Sequence, residues 1–381
     1  MIQFLVETPP GYELAAKLLA KADIKINGSR PWDLILRHQD VLARILRQGS
    51  LGLGESYMDG WWECARIDEF VHRILRAKLD EEASHAGVLW LTLKSKFLNV
   101  QSGSRAWQVG ERHYDLGNEL YRAMLDPYLA YSCGYWASAH DLAQAQIDKL
   151  ELICRKLGLK PGMRLLDIGC GFGSLMRYAA ERHGVQCVGL TISAQQASLG
   201  GQLAGDLPTR FELMDYRDFN RDGSQKFDRI ASVGMFEHVG SKNYRDFFDV
   251  AMRSIASDGL CLLHTIGRDR VGSGVDPWIE KYIFPNSVLP AMSEITAACE
   301  RSFVIEDFHN FGADYDRTLL AWHERFEAAW PQLRANYDER FHLMWRYYLL
   351  SCAGSFRARS NQLWQFVLSP HGVPGGYRSV R

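Results

Sequence analysis

Apolar residues along the chain change their period near residue 100. Before that point the spacing is helical. Leu34, Leu36, Val41, Leu42, Ile45 and Leu46 follow it roughly. Ile67, Phe70, Val71, Ile74 and Leu75 follow it closely, at i, i+3, i+4, i+7 and i+8. Between these predicted helices runs GSLGLGESYMDGWWE (49–63), whose glycines and Asp59-Gly60 predict turns beside an aromatic pair, Trp61-Trp62. Gln101-Ser102-Gly103-Ser104 is polar and reads as a linker. The pattern divides the chain into a helical domain over 1–100, a linker over 101–112 and a second domain over 113–381.

Beyond the linker, helix and strand periods alternate. Ala143, Ile147, Leu150, Cys154 and Leu157 mark a helix that Lys160-Pro161-Gly162 ends. A strand at 164–168 runs into a glycine loop at 169–173 and a helix at 174–182, with Gly184 as its C-cap. A second strand lies at 186–190, and Ser193 is a candidate N-cap for the next helix. Further strands are predicted at 211–214, 227–233 and 260–264. This alternation predicts an α/β fold with a doubly wound, mostly parallel sheet. From about residue 270, helical runs rich in Trp, Tyr and Phe resist placement.

Composition removes several function classes. Of 381 residues, 47% are hydrophobic and 23% charged, which excludes a disordered or collagen-like chain. Lys and Arg number 44 against 45 Asp and Glu, a net charge of −1, so the global basic excess of a nucleic-acid binder is missing. No stretch is apolar for the ~20 residues a spanning helix needs. The start, MIQFLVETPPGYELAAK, lacks the basic and apolar regions of a secretory signal. Cysteines 64, 133, 154, 170, 187, 261, 299 and 352 stand singly, which predicts reduced thiols in a cytoplasmic protein and argues against a disulfide scaffold or a zinc site.

The strongest chemical signal is Asp167-Ile168-Gly169-Cys170-Gly171-Phe172-Gly173, between a predicted strand and a predicted helix. Dinucleotide enzymes space their glycines as G-x-G-x-x-G; this loop does not, which disfavours a nicotinamide dehydrogenase. The acid-plus-three-glycine form resembles the first motif of class I methyltransferases. The resemblance implies S-adenosylmethionine, with the acid near its amino-acid end. The end of strand two, Gly189 to Ser193, carries no acid for the ribose, leaving Thr191 and Gln196 as its polar groups. Asp215 and Tyr216 follow the third strand, where an acid can accept from the adenine amine and a ring can stack on it.

Ligands in such sheets bind at the carboxyl ends of strands. Those ends lead to Gly234-Met235-Phe236-Glu237-His238 and to His264-Thr265-Ile266, with Tyr131 to Trp136 before the sheet and His309 to Tyr315 after it. Each has a structural reading alone. Glu237 can cap a helix, His264 can be a satisfied core histidine, and Cys133 and Cys352 can be small buried hydrophobes. Glu237 and His264, however, share one rim beside the glycine loop.

The segments GSLGLGESYMDGWWE, HYDLGNELY (113–121), YSCGYW, LDIGCGFG, GLTISAQQ, SVGMFEHVG, LLHTIG, VDPWIEKYIFPN (275–286) and HNFGADYDRTLLAW together resemble the bacterial cyclopropane-fatty-acyl-phospholipid synthases over nearly the whole chain. Phe172 and Ser174 stand where many members have Trp and Gly, and HGVPGGYRSVR at the C-terminus matches poorly. The resemblance implies a class I methyltransferase fold with a helical N-terminal domain that engages lipid. It implies transfer of a methylene from S-adenosylmethionine to the cis double bond of a phospholipid acyl chain. It implies bicarbonate held by Cys133, Glu237, His264, the Ile266 backbone and Tyr315, and a position long regarded as catalytic at Cys352. Donor contacts would fall on Tyr131, Ser132, Asp167, Gly169, Gly171, Gly173, Thr191, Gln196, Asp215 and Tyr216. It also implies a homodimer.

The chemistry suits these residue types. An alkene attacking a sulfonium methyl leaves a carbocation, and water must be excluded or it would trap that cation. Aromatic faces stabilise a cation without reacting with it, which suits Tyr131, Phe236 and Tyr315. The base must not capture the methyl. A thiolate is strongly nucleophilic, so Cys133 and Cys352 are poor bases and bicarbonate is a better one. Arg37, Arg44 and Arg47 on the first helix, and Arg66, Arg73, Arg76 and Lys78 on the second, read by pattern alone as the solvated charged face of a small helical bundle; with the resemblance added they suit peripheral binding to the inner face of the cytoplasmic membrane. So does the cluster Trp90, Leu91, Leu93, Lys94, Lys96, Phe97 and Leu98. Two other readings compete: a methyltransferase with another lipid or a small-molecule acceptor, and a non-enzymatic lipid-binding protein with a relict donor site.

Overall fold

The computed structural model describes residues 9, 11–79, 117–272 and 274–381. The predicted linker, the start of HYDLGNELY and the basic-apolar cluster at 90–98 lie outside them.

Helix α1 (Tyr12–Lys21), strand β1 (Ile35–Leu36), helix α2 (Val41–Met58), strand β2 (Trp62–Glu63) and helix α3 (Ile67–Arg76) form the N-terminal part. The segment predicted to be turns is mostly helix: α2 kinks at Gly49 and continues to Met58, and only Asp59-Gly60 turns. Gly49 supplies the left-handed conformation of the kink (φ +59°), whereas Gly52 and Gly54 are explained by close packing. A Cβ on Gly54 would lie 2.3 Å from the Trp278 ring. Trp62 is buried, donating its indole N–H to the Leu53 carbonyl (3.0 Å), and Trp61 stacks on His38.

Helices α4 (Asn118–Met124) and α5 (Leu142–Lys156) precede the sheet. Strands β3 (Arg164–Ile168), β4 (Gln186–Thr191), β5 (Thr209–Leu213), β6 (Phe227–Val233) and β7 (Ile255–Gly267) follow the predicted order, joined by α6 (Ser174–His183), α7 (Ala194–Ala204) and α8 (Tyr244–Ser254). All five are parallel, in spatial order β5-β4-β3-β6-β7. The central strands are buried on both faces, so they read as apolar runs. Ser193 accepts from the Gln196 N–H as the α7 N-cap, and Gly184 caps α6 in the left-handed conformation.

The aromatic remainder holds α9 (Pro277–Tyr282), α10 (Met292–Cys299), β8 (Val304–Asn310), α11 (Asp314–Leu333), α12 (Glu339–Arg357) and β9 (Gln362–Ser369). Strand β9 pairs antiparallel between β7 and β8, extending the sheet to β5-β4-β3-β6-β7-β9-β8. Helix α12 packs on α11 and against α2 and α3. One apolar core runs from Leu42, Trp62 and Phe70 to Trp278, Tyr347 and Phe356. The apolar stripe of α3 is thus spent on α12: a Cβ on Gly354 would lie 2.4 Å from the Asp68 carbonyl oxygen.

Candidate active site

The carboxyl ends of β3, β4 and β6 open into a cavity of about 180 Å³. Tyr131, Ser132, Asp167, Gly169, Gly171, Thr191, Gln196, Asp215 and Tyr216 all line it. Gly169 has φ +85°, and a Cβ there would strike Met235 at 2.4 Å; Gly171 has φ +55° and open space where its Cβ would be. The loop therefore turns in the left-handed region and leaves its outer side clear for a ligand. Thr191 donates to Gln196 (3.0 Å), closing the end of β4 without an acid. Gly173, expected at the donor, follows in the same loop with φ +72°, between the lining residues Phe172 and Ser174, and a Cβ there would meet the Phe211 ring at 2.5 Å.

Asp167 is buried and its Oδ1 has no hydrogen-bond partner among the described residues; burial pushes its carboxyl up to about 7. Lys149, which the periodicity did not single out, also lines the cavity. It is buried, donates to Ser132 Oγ (3.0 Å), and burial pushes its ammonium down to about 8. One helical turn earlier, Gln146 donates to the Ser132 carbonyl (2.8 Å). Helix α5 thereby pins the start of YSCGYW. Thr318 on α11 pins its other end, with Oγ1 accepting from the Gly134 N–H (3.1 Å) and the Trp136 indole (2.8 Å).

Behind this cavity lies the second predicted set. Gly234, Met235 and His238 line the cavity, and Glu237 between them turns inward and is buried. Its Oε1 accepts from the Ile266 N–H (2.6 Å) at the end of β7. Its Oε2 has no partner among the described residues, and burial pushes the carboxyl up to about 7. His264 shares the Ile266 face of β7. Directly across on β9, the Gln365 amide bonds His264 Nδ1 (3.1 Å) and holds the ring in place. Nε2 has no partner among the described residues, and burial holds the ring's pKa well below the usual histidine value. Two buried polar atoms, Glu237 Oε2 and His264 Nε2, are thus left open among the described residues at this rim.

Tyr315 ties the set together. Its hydroxyl is held well above the usual range by burial, and Cys133, Glu237, Tyr131 and Cys352 each oppose its ionisation further. Burial likewise pushes the Cys133 thiol up well above its usual value and the Cys352 thiol up to about 12. Rings enclose the site: Tyr131 packs on Trp322 (5.2 Å) and bonds the Tyr348 hydroxyl (2.9 Å), and Tyr315 stacks on Phe356 (4.4 Å). Phe236, expected among them, faces the other way and stacks on Tyr244 (4.4 Å) in the core beneath α8.

The family described as Mycolic acid cyclopropane synthetase matches residues 101–366. That span covers well over half the chain. The protein belongs to this family. A curated relative, the cyclopropane-fatty-acyl-phospholipid synthase of Escherichia coli strain K12, is 53% identical over 371 residues, covering 97% of this chain and 96% of its own. The cyclopropane synthase MmaA2 from Mycobacterium tuberculosis superposes with a TM-score of 0.64 at 32% identity, covering 69% of this chain and 97% of its own. The mycolic acid cyclopropane synthase CmaA1, complexed with SAH and CTAB, does so with a TM-score of 0.63 at 33% identity over the same shares. This member of the mycolic acid cyclopropane synthetase family is an S-adenosylmethionine-dependent transferase with a class I methyltransferase fold, and the cavity over Gly169 and Gly171 sits at the strand ends such enzymes use.

The cationic faces expected to meet a membrane are mostly neutralised. Arg37 pairs with Glu63 (2.7 Å), Arg44 with Glu55 (2.8 Å) and Asp59 (2.7 Å), Arg66 with Asp68 (2.6 Å), and Arg73 with Glu69 (2.9 Å) and Asp23 (3.0 Å). Arg47, Arg76 and Lys78 are exposed. No helix among the described residues is long and apolar enough to cross a membrane.

Proposed function

We propose that this chain is a cyclopropane-fatty-acyl-phospholipid synthase that works as a peripheral homodimer on the inner face of the cytoplasmic membrane. The observation that carries the reading is the 53% identity to the Escherichia coli enzyme, which runs through the N-terminal helices as well as the sheet. The relict-site reading fails on cost: a dead site gains nothing from burying Glu237 and His264 with unpartnered atoms, which costs about 1–3 kcal/mol each.

In the reaction, the π electrons of the cis olefin attack the sulfonium methyl. The carbon–sulfur bond breaks and S-adenosylhomocysteine leaves. The carbocation then closes to a ring as the new methyl loses a proton. Tyr131, Tyr315, Trp322 and Tyr348 exclude water and offer π faces to the cation. The open Glu237 Oε2 and His264 Nε2 fit a small oxyanion that carries both a hydroxyl and a charge. Bicarbonate bound there supplies a proton acceptor that does not compete for the methyl. The Ile266 N–H fixes the Glu237 carboxylate, Gln365 orients the His264 ring, and Tyr315 stays a neutral hydroxyl.

A lipid extract from cells expressing the chain should contain cyclopropane fatty acids that vanish when Glu237 is replaced. An extract without them from cells making folded protein would overturn the proposal. Because both thiols are held protonated, Cys352→Ser should keep turnover within a few-fold of the parent. Loss to background, with folding and donor binding intact, would make Cys352 part of the chemistry.

A further inference from the structure

The donor that the cavity receives carries a zwitterion at one end, an α-carboxylate and an α-ammonium, and each needs a buried partner of opposite sign. Asp167 is the evident partner for the ammonium. The carboxylate's partner must be a cation in the lining, and three residues qualify by type: Lys149, Arg217 and His238. Arg217 is bound by Asp215 (2.5 Å) at the far side of the cavity, after β5. His238 is held neutral by burial, its pKa pushed down to about 4. Lys149 is different. It is almost wholly buried, and its single hydrogen bond among the described residues goes to a neutral hydroxyl, Ser132 Oγ. No carboxylate lies within ion-pair distance of it among those residues, although an ammonium has three donors to place. The carboxyls of Asp126 and Asp167 act on it only from farther off.

We infer that Lys149, with Ser132 Oγ beside it, is the counter-ion of the donor's α-carboxylate, completing with Asp167 a clamp for the amino-acid end of S-adenosylmethionine. The inference rests on the reading of this cavity as the donor site. It makes Lys149 a binding residue that touches the donor and reads its carboxylate. The adenosyl end lies elsewhere, over Gly171 and toward Asp215 and Tyr216. The arrangement also explains why a helix otherwise packed by Leu150, Ile153 and Cys154 carries a buried lysine at all. An uncompensated ammonium in that place opposes folding, and the donor's carboxylate compensates it.

The test is titration calorimetry with two ligands on the parent protein and on Lys149→Met, which keeps the length of the side chain and removes its charge. S-adenosylhomocysteine carries the zwitterion; 5′-methylthioadenosine carries the same nucleoside without it. Lys149→Met should weaken S-adenosylhomocysteine roughly 10- to 100-fold, the weight of a charge-assisted hydrogen bond, and leave 5′-methylthioadenosine within about twofold. Equal weakening of both would make Lys149 a structural support for residues 130–132 and overturn the inference. No weakening of either would overturn it as well. If the parent bound neither ligand, the donor-site reading itself would fall. A crystal structure of the parent with S-adenosylhomocysteine decides the matter even if the variant does not fold. The carboxylate lies within hydrogen-bond distance of Lys149 Nζ, or the assignment is wrong.

Discussion

Glu237→Gln should lose turnover by roughly 10²- to 10⁴-fold, the range that a positioned acid–base group supplies, while S-adenosylhomocysteine binds as before. The carboxylate stands behind the donor cavity rather than in its lining, and its Oε1 is committed to the Ile266 N–H. What the amide cannot reproduce is the charge on Oε2. The same variant should be more stable than the parent. Burial raises the folded-state pKa of Glu237 from 4.5 to about 7. The folded state therefore favours the protonated form, and the stability this gives is full below the ordinary carboxyl pKa and lost as pH rises through about 7. At pH 8 the parent carries a penalty of up to about 3 kcal/mol that the amide does not. Urea unfolding should show the variant ahead at pH 8 and level with the parent below pH ~4.5. Activity should fall on the acid side of about 7 as Glu237 takes up its proton. A purified variant with normal turnover would remove Glu237 from the mechanism.

Trp278→Ala should cost about 3–5 kcal/mol of stability and weaken donor binding. Trp278 is almost wholly buried, lies against the open edge of Gly54 and donates its indole N–H to Met58 Sδ (3.3 Å). Glu55 on the same helix accepts from Lys281 and, at 2.9 Å, from Tyr282. These contacts fix α9 on the N-terminal helices. The chain that follows α9 carries Pro285 and Asn286 into the cavity lining, and its Val288 N–H bonds the Glu237 carbonyl (2.8 Å). The N-terminal part thereby reaches the chemistry through one wall. Thermal unfolding and calorimetry with S-adenosylhomocysteine measure both effects. A stability loss with unchanged donor affinity would show that α9 anchors the fold and leaves the cavity alone.

The parallel strands were legible because buried strands between helices are short apolar runs ended by turn residues, as 164–168 and 227–233 are. Strands β8 and β9 were not. Val304 and Phe308 are exposed on an edge that bulges between Ile305 and Asp307, so no alternation marks β8. Strand β9 is buried on both faces beside two long helices of the same aromatic composition. Gly52 and Gly54 misled for a related reason: close packing, against the Arg44 carbonyl and against Trp278, and a turn call for the same residue. At the site, Glu237 and His264 could be placed because a rim of strand ends is a topological fact. Lys149 and Gln365 could not, since a lysine or glutamine inside a helix or strand looks alike whether it faces water or a cavity. The interior side of Phe236 was equally hidden, because its helical turn decides which way it faces.

The most direct measurement of the central claim follows the methyl hydrogens. Purified protein is given S-adenosylmethionine with a fully deuterated methyl group and vesicles of a cis-monounsaturated phospholipid, and the acyl chains are analysed by mass spectrometry. The account requires a ring that keeps two of the three deuterons, the third having left as the cation closed. A product that keeps all three, or a donor turned over with the acyl chains untouched, would contradict it.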